Sequence, residues 1–244
     1  MKNYKLNDKY LIKTNTGSKG CQKKYFKDNY WYKIDSLGGE GLVESTVSKL
    51  LSCSTLPKWL YVSYEKCFIN NKSGCRSKSF LNDGEVFISF KELYTYYSKG
   101  DLSNDIWVYD NATKRAEFLR SIVMSVARID INKYLKTIML LDMLIENRDR
   151  HLGNLGVILN RVQNTFVLCP IFDNGVSLGI GLGIGEKSNS CTISGSFVEQ
   201  VLAFGYPIKT TFKLNYERLY REINVDMFPV LKRNLKEYEN IFRR

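Results

Sequence analysis

The chain has 244 residues, of which 44% are hydrophobic and 13% aromatic, enough for a sizeable core in one large domain or two lobes sharing a cleft, and too much for a disordered chain. The formal charge of +11 comes from basic residues scattered through a Lys-, Asn-, Ile- and Tyr-rich composition, so direct nucleic-acid binding is not expected. Six cysteines without a Cys-x-x-Cys pair and one histidine give no zinc pattern, and no apolar leader or membrane-length run is present. The expectation is a cytoplasmic protein with reduced thiols, secretion as an effector being left open.

Residues 8–35 read as a β-hairpin. Leu11-Ile12-Lys13 leads out, and the chain returns through Tyr25-Phe26 and Tyr30 to Ile34. Its tip holds Gly17, Ser18, Lys19 and Gly20, small or basic residues whose backbone N–H groups could approach a phosphate, although most such tips are only turns. Alternation along the return strand puts Trp31, Lys33 and Asp35 on one face. A helix follows over about 42–53, with Leu42, Val43, Thr46, Val47, Leu50 and Leu51 inward. Glu44 lies early in it and is a candidate partner for Lys33, with Glu40 as the competitor and a solvated first-turn acid as the bland alternative. Leu60–Tyr64, Cys67–Ile69 and Glu85–Phe90 read as strands, with a turn-rich stretch before the last.

From about Thr113 the chain turns helical, with Asn111 or Thr113 as cap. A second helix over 131–146 is apolar almost all round and should be fully buried. Strands are expected at 155–159 and 165–169 around a polar turn, and helices at 216–222 and 230–242. Between them, 176–196 is rich in glycine and then serine.

The chemistry sits just past the buried helix. Asp149 and Asn154 stand five apart, and Asp173-Asn-Gly175 follows the second short strand. Phosphoryl transfer needs an oxygen base beside the acceptor hydroxyl, hard oxygen ligands for magnesium and a cation on the phosphates. Asp149 suits the base, Asn154 and Asp173 the metal, and Lys33 the α- and β-phosphates. The Asp-Asn spacing alone arises by chance, and Asp-Asn-Gly alone could be a hairpin turn. A buried helix, a loop, a short hairpin and an upstream strand lysine in this order make one ATP site the simpler account. The segment 88–92, with Ile88 and Phe90, is the candidate hinge for adenine by position, and a plain strand-to-helix connection fits it equally well. His151 reads as structural.

Asn147-Arg-Asp-Arg-His-Leu-Gly-Asn154 with Pro170-Ile-Phe-Asp-Asn-Gly175 resembles the C-terminal kinase domain of HipA-like serine/threonine kinases. Tyr32-Lys33 and the Glu44 helix also resemble that family's small lobe. The likeness covers about 10–200, with strong motifs only at 147–154 and 170–175. It implies an α+β, bilobal, protein-kinase-like fold, with a β-rich N-lobe over 1–92 and a larger helical C-lobe over 93–244. It also implies ATP and Mg²⁺, protein Ser/Thr acceptors, and autophosphorylation at Thr16 or Ser18, with 188–196 the other candidate segment. Many HipA-type proteins are toxins with a DNA-binding antitoxin partner. This chain is shorter and is expected to match the compact stand-alone type. Asp149-Arg-His-Leu-Gly-Asn154 also resembles the loop of phosphoinositide-type lipid kinases, and a nucleotide-binding pseudokinase is the non-enzyme alternative.

Overall fold

A computed structural model describes residues 1–12, 22–180 and 211–243. The glycine tip (Gly17, Ser18, Lys19, Gly20), Thr16 and the 188–196 segment lie outside the described residues.

A five-stranded sheet has the order β1-β4-β5-β3-β2, from β1 (Asn3–Tyr4), β2 (Lys24–Lys27), β3 (Tyr30–Ile34), β4 (Tyr64–Ile69) and β5 (Lys72–Lys78). The return segment of the expected hairpin is itself a hairpin. Asp28 and Asn29 take positive φ of 52° and 63°, the backbone of a two-residue turn, and β2 pairs antiparallel with β3. Leu11 contributes only an isolated bridge to Tyr25. The expected strand at 60–64 is a 3₁₀ turn at Lys58–Leu60 and a bridge at Tyr61; β4 starts at Tyr64. The stretch taken as turn-rich holds β5, a central strand paired on both sides and reached through a second positive-φ turn at Asn70-Asn71.

Helix α1 (Glu40–Ser52) starts at Gly39, whose φ of 114° suits glycine. It packs on β4 and β5, and the approach is close: a Cβ on Gly41 would lie 2.4 Å from the Gly74 carbonyl carbon. Its inward face is as expected except that Leu42 is half-buried, and Glu44, Ser45 and Ser48 are buried as well.

The second sheet is β6 (Glu85–Ser89), β7 (Gly156–Asn160) and β8 (Thr165–Leu168), all antiparallel, so strand pairing crosses the boundary expected at residue 92. Around it lie α2 (Phe90–Ser98), α3 (Leu102–Asp105), α4 (Ala112–Ala127) and α5 (Asn132–Ile145). Then come α6 (Tyr216–Glu222), α7 (Pro229–Glu237) and α8 (Glu239–Phe242). Asn111 caps α4 by accepting from the Lys114 N–H, and the helix expected over 230–242 breaks at Tyr238. Helix α5 is buried nearly all round, including Asp142. The main core joins α1 (Val43, Val47, Leu50) to α4 and α5, and smaller clusters lie under the large sheet. Cys53, Cys67, Cys75 and Cys169 are buried free thiols. Among the described residues no helix is long and apolar enough to cross a membrane.

Candidate functional site

Lys33 points from β3 toward α1 and is buried. Burying an ammonium is costly unless it is paired. Here its Nζ donates to Glu44 Oε1 at 3.2 Å and to Asp173 Oδ1 at 2.6 Å. The Tyr64 ring from β4 lies 5.1 Å beneath it. Three segments as far apart as residues 33 and 173 thus meet at one cation. Glu40, the competitor for Lys33, serves another purpose. Its Oε1 accepts from the Ser36 and Leu37 N–H groups at 2.8 and 2.7 Å and ties down the loop before α1.

Asp173 sits at φ 61°, a left-handed conformation that aspartate tolerates better than bulkier residues. Its N–H donates to the Tyr64 hydroxyl at 3.4 Å, and the next N–H, of Asn174, donates to Glu44 Oε2 at 3.0 Å. The turn is therefore pinned to α1 and β4 by its own backbone. Burial would raise the Asp173 carboxyl, but Lys33 and then Lys24 outweigh it and hold it well below the usual range. Glu44 goes the other way: burial raises it more than Lys33 lowers it. Lys33 is held well above the usual lysine value, with Asp173 as the largest force acting against burial.

The loop after α5 is set by a residue that motif spacing does not single out. Arg150 is 2% exposed. It reaches Asp142 at 3.1 Å, the Phe172 carbonyl at 2.6 Å and Asn174 Oδ1 at 2.5 Å, so one guanidinium joins the end of α5 to both sides of Asp173. The sequence signal was Asp142 itself, a carboxylate in an otherwise apolar buried helix that requires a partner. Around Arg150 the loop closes on itself. The Asp149 N–H donates to Asn147 Oδ1 at 3.0 Å, and Asn154 Nδ2 to the Asp149 carbonyl at 3.3 Å. The exposed His151 accepts at Nδ1 from the Gly153 N–H at 3.1 Å. The Asp149 side chain stays open to solvent on one side. Desolvation on the other, opposed by His151 and reinforced by Asp173, raises its carboxyl.

Lys33, Asn154 and Asp173 line a cleft of about 270 Å³, together with Lys24 and Gly153. Trp31, Phe80, Phe87 and Phe172 add aromatic side chains to its walls. Phe87 stands edge-on to Phe172, with centroids 5.5 Å apart. A cleft lined by both charged and aromatic side chains suits a ligand with a ring and a charged tail.

Ile88 and Phe90 require a correction: neither lines the cleft. The Phe90 N–H donates to the Leu155 carbonyl at 2.8 Å and the Arg161 N–H to the Gly84 carbonyl at 2.9 Å. By the alternation of an antiparallel ladder, the even-numbered residues of β6 therefore turn their backbone toward β7. Phe90 is also fully buried, against Tyr134. The free backbone edge belongs to Phe87, whose ring walls the cleft.

The donor chemistry suits a magnesium ion. Asp173 and Asn154 offer hard oxygens in one cleft, and magnesium accepts few protein ligands when phosphates and waters complete its shell. Among the described residues no cluster of three or more His, Cys, Asp or Glu side chains could hold a metal without such help.

No protein-family profile matches the sequence, and no curated protein matches it. Among solved structures it is similar to a proinflammatory kinase of Helicobacter pylori, CtkA, at 16% identity and a TM-score of 0.49. The match covers 69% of this chain and 59% of that one, too shallow a likeness to carry fold or chemistry from one to the other.

Proposed function

We propose that this chain is an ATP- and Mg²⁺-dependent phosphotransferase of protein-kinase type, acting on serine or threonine hydroxyls of a protein substrate. The observation that carries this reading is the Lys33 ammonium held between Glu44 and Asp173, in a cleft also lined by Asn154 and by aromatic side chains. A buried lysine with two carboxylates could be structural. Here, however, one carboxylate is a quarter exposed toward the cleft, where it can exchange the lysine for a metal.

In this reading Lys33 binds the α- and β-phosphates and Glu44 fixes its position. Asn154 and Asp173 hold magnesium, which neutralises charge on the transferring group when bound. Asp149 orients the acceptor hydroxyl and takes its proton, a contribution of about 10²–10⁴-fold. Its raised carboxyl suits a group that must both hold and release a proton. The free edge at Phe87 receives the base. Ser/Thr selectivity and self-modification at Thr16 or Ser18 rest on the resemblance in the loop motif.

The test is intact mass after phosphatase treatment and incubation with Mg-ATP, for wild type and Asp149→Ala, with protein acceptors and phosphoinositide vesicles in parallel. A gain of phosphate by wild type or by a protein acceptor, absent with the variant, is the expected result. Transfer to the vesicles alone would move the reading to a lipid kinase. Nucleotide binding without transfer to any acceptor would make this a binding module. Equal gain in wild type and variant would remove Asp149 from the role of base.

A further inference from the structure

The cleft holds a second lysine that the loop motif does not announce. Lys24 lies on β2 directly opposite Lys33 on β3, so both side chains project from the same face of the hairpin into the same cleft. Like charges directly across an antiparallel pair destabilise a sheet. Here the Asp173 carboxylate acts on both lysines and offsets part of that repulsion. We infer that Lys24 is a second phosphate-binding lysine, contacting the terminal phosphoryl group where it passes between the metal ligands and Asp149. The inference rests on the phosphotransferase reading and assigns it a further residue.

Position and supply support it. Lys24 acts electrostatically on Asp173 and on Asp149, the two groups between which a transferring phosphoryl would lie. The loop from Asp149 to Asn154 carries one strong cation, Arg150, and that guanidinium is committed to Asp142, Phe172 and Asn174. Lys33 is held between Asp173 at 2.6 Å and Glu44 at 3.2 Å. A second cation for the terminal oxygens comes from the same hairpin, where Lys24 stands beside Lys33 in the cleft. Half-burial, together with Lys33, lowers the affinity of Lys24 for its proton, an effect that a dianionic phosphoryl neighbour would reverse.

The test compares two ligands that differ by one phosphate. Calorimetry with magnesium would measure binding of ADP and of a non-hydrolysable ATP analogue to wild type, Lys24→Met and Lys24→Arg. The expected result is a loss of about tenfold or more for the analogue in Lys24→Met, little change for ADP and partial recovery in Lys24→Arg. Lys24→Gln carries the same comparison should the Met variant aggregate. Equal losses for both ligands, or none, would overturn the inference while leaving the phosphotransferase reading in place. Failure of wild type to bind either nucleotide would overturn both.

Discussion

Arg150 is where the energetics of the site can be tested most sharply. It is buried and makes its contacts to Asp142, the Phe172 carbonyl and Asn174 at 3.1, 2.6 and 2.5 Å. Replacing it with methionine keeps the volume of the stem and removes every donor. The loss is not the sum of those hydrogen bonds, because water competes for them in the unfolded chain. Most of the cost falls on Asp142, left buried without a counter-charge in the last turns of α5, and breaking one side of such a pair costs about 3–5 kcal/mol. Against a domain stability of about 5–15 kcal/mol this is about a fifth or more. Burial already raises the Asp142 carboxyl, against Arg150. Without the arginine its affinity for a proton should rise further. A group whose folded pKa is raised stabilises below its unfolded value and loses that contribution as pH rises, so Arg150→Met should become steadily less stable on going upward from about pH 4. Denaturant unfolding at several pH values reads this directly. Adding Asp142→Leu should restore much of the stability and flatten the pH slope. A single variant within about 1 kcal/mol of wild type, or a double variant worse than the single, would mean that the Asp142 charge does not depend on Arg150.

Three further outcomes are expected. Lys33→Met should abolish transfer and weaken both ADP and ATP-analogue binding, whereas Glu44→Gln, which leaves Lys33 its bond to Asp173, should lower the rate by less; steady-state kinetics and calorimetry check both. The lowered Asp173 carboxyl stabilises above its unfolded value of about 3.9 and loses that contribution as pH falls toward its folded value, so the stability difference between wild type and Asp173→Asn should shrink in acid below about pH 4. Mg-ATP at about a hundred times its dissociation constant should stabilise the fold by about 2.7 kcal/mol in a thermal-shift assay, and EDTA or Asn154→Ala should remove most of that gain.

Part of the candidate site was legible because Asp149, Asn154 and Asp173 are set by local spacing around a buried helix and a short hairpin. Lys33 was legible from strand alternation. Whether Glu40 or Glu44 meets it was not, since both lie on one side of α1; the loop from Ser36 to Leu37 decides by claiming Glu40. Strand β5 was missed because Lys-Ser-Gly-Cys-Arg-Ser-Lys has almost no β-forming side chains, and its conformation is imposed by ladders on both edges. The turns at Asp28-Asn29 and Asn70-Asn71 were readable as left-handed pairs and would have placed both hairpins. Ile88 and Phe90 do not line the cleft whereas Phe87 does, a parity that only the pairing of β6 with β7 fixes. Arg150 is signalled only indirectly, by a buried Asp142 that needs a partner, and the place of Lys24 opposite Lys33 follows only once the turn at Asp28-Asn29 fixes the register.

Helix α1 is gripped on both sides. Gly41 meets the backbone of β5 with no room for a methyl, while Val43, Val47 and Leu50 belong to the same core as α4 and α5. Swinging this helix outward would tear apolar surface from the main core and open a backbone-to-backbone contact at the same time. The Lys33–Glu44 pair is therefore a fixture rather than a toggle. A change of state in this cleft has to come from what enters it rather than from a movement of α1.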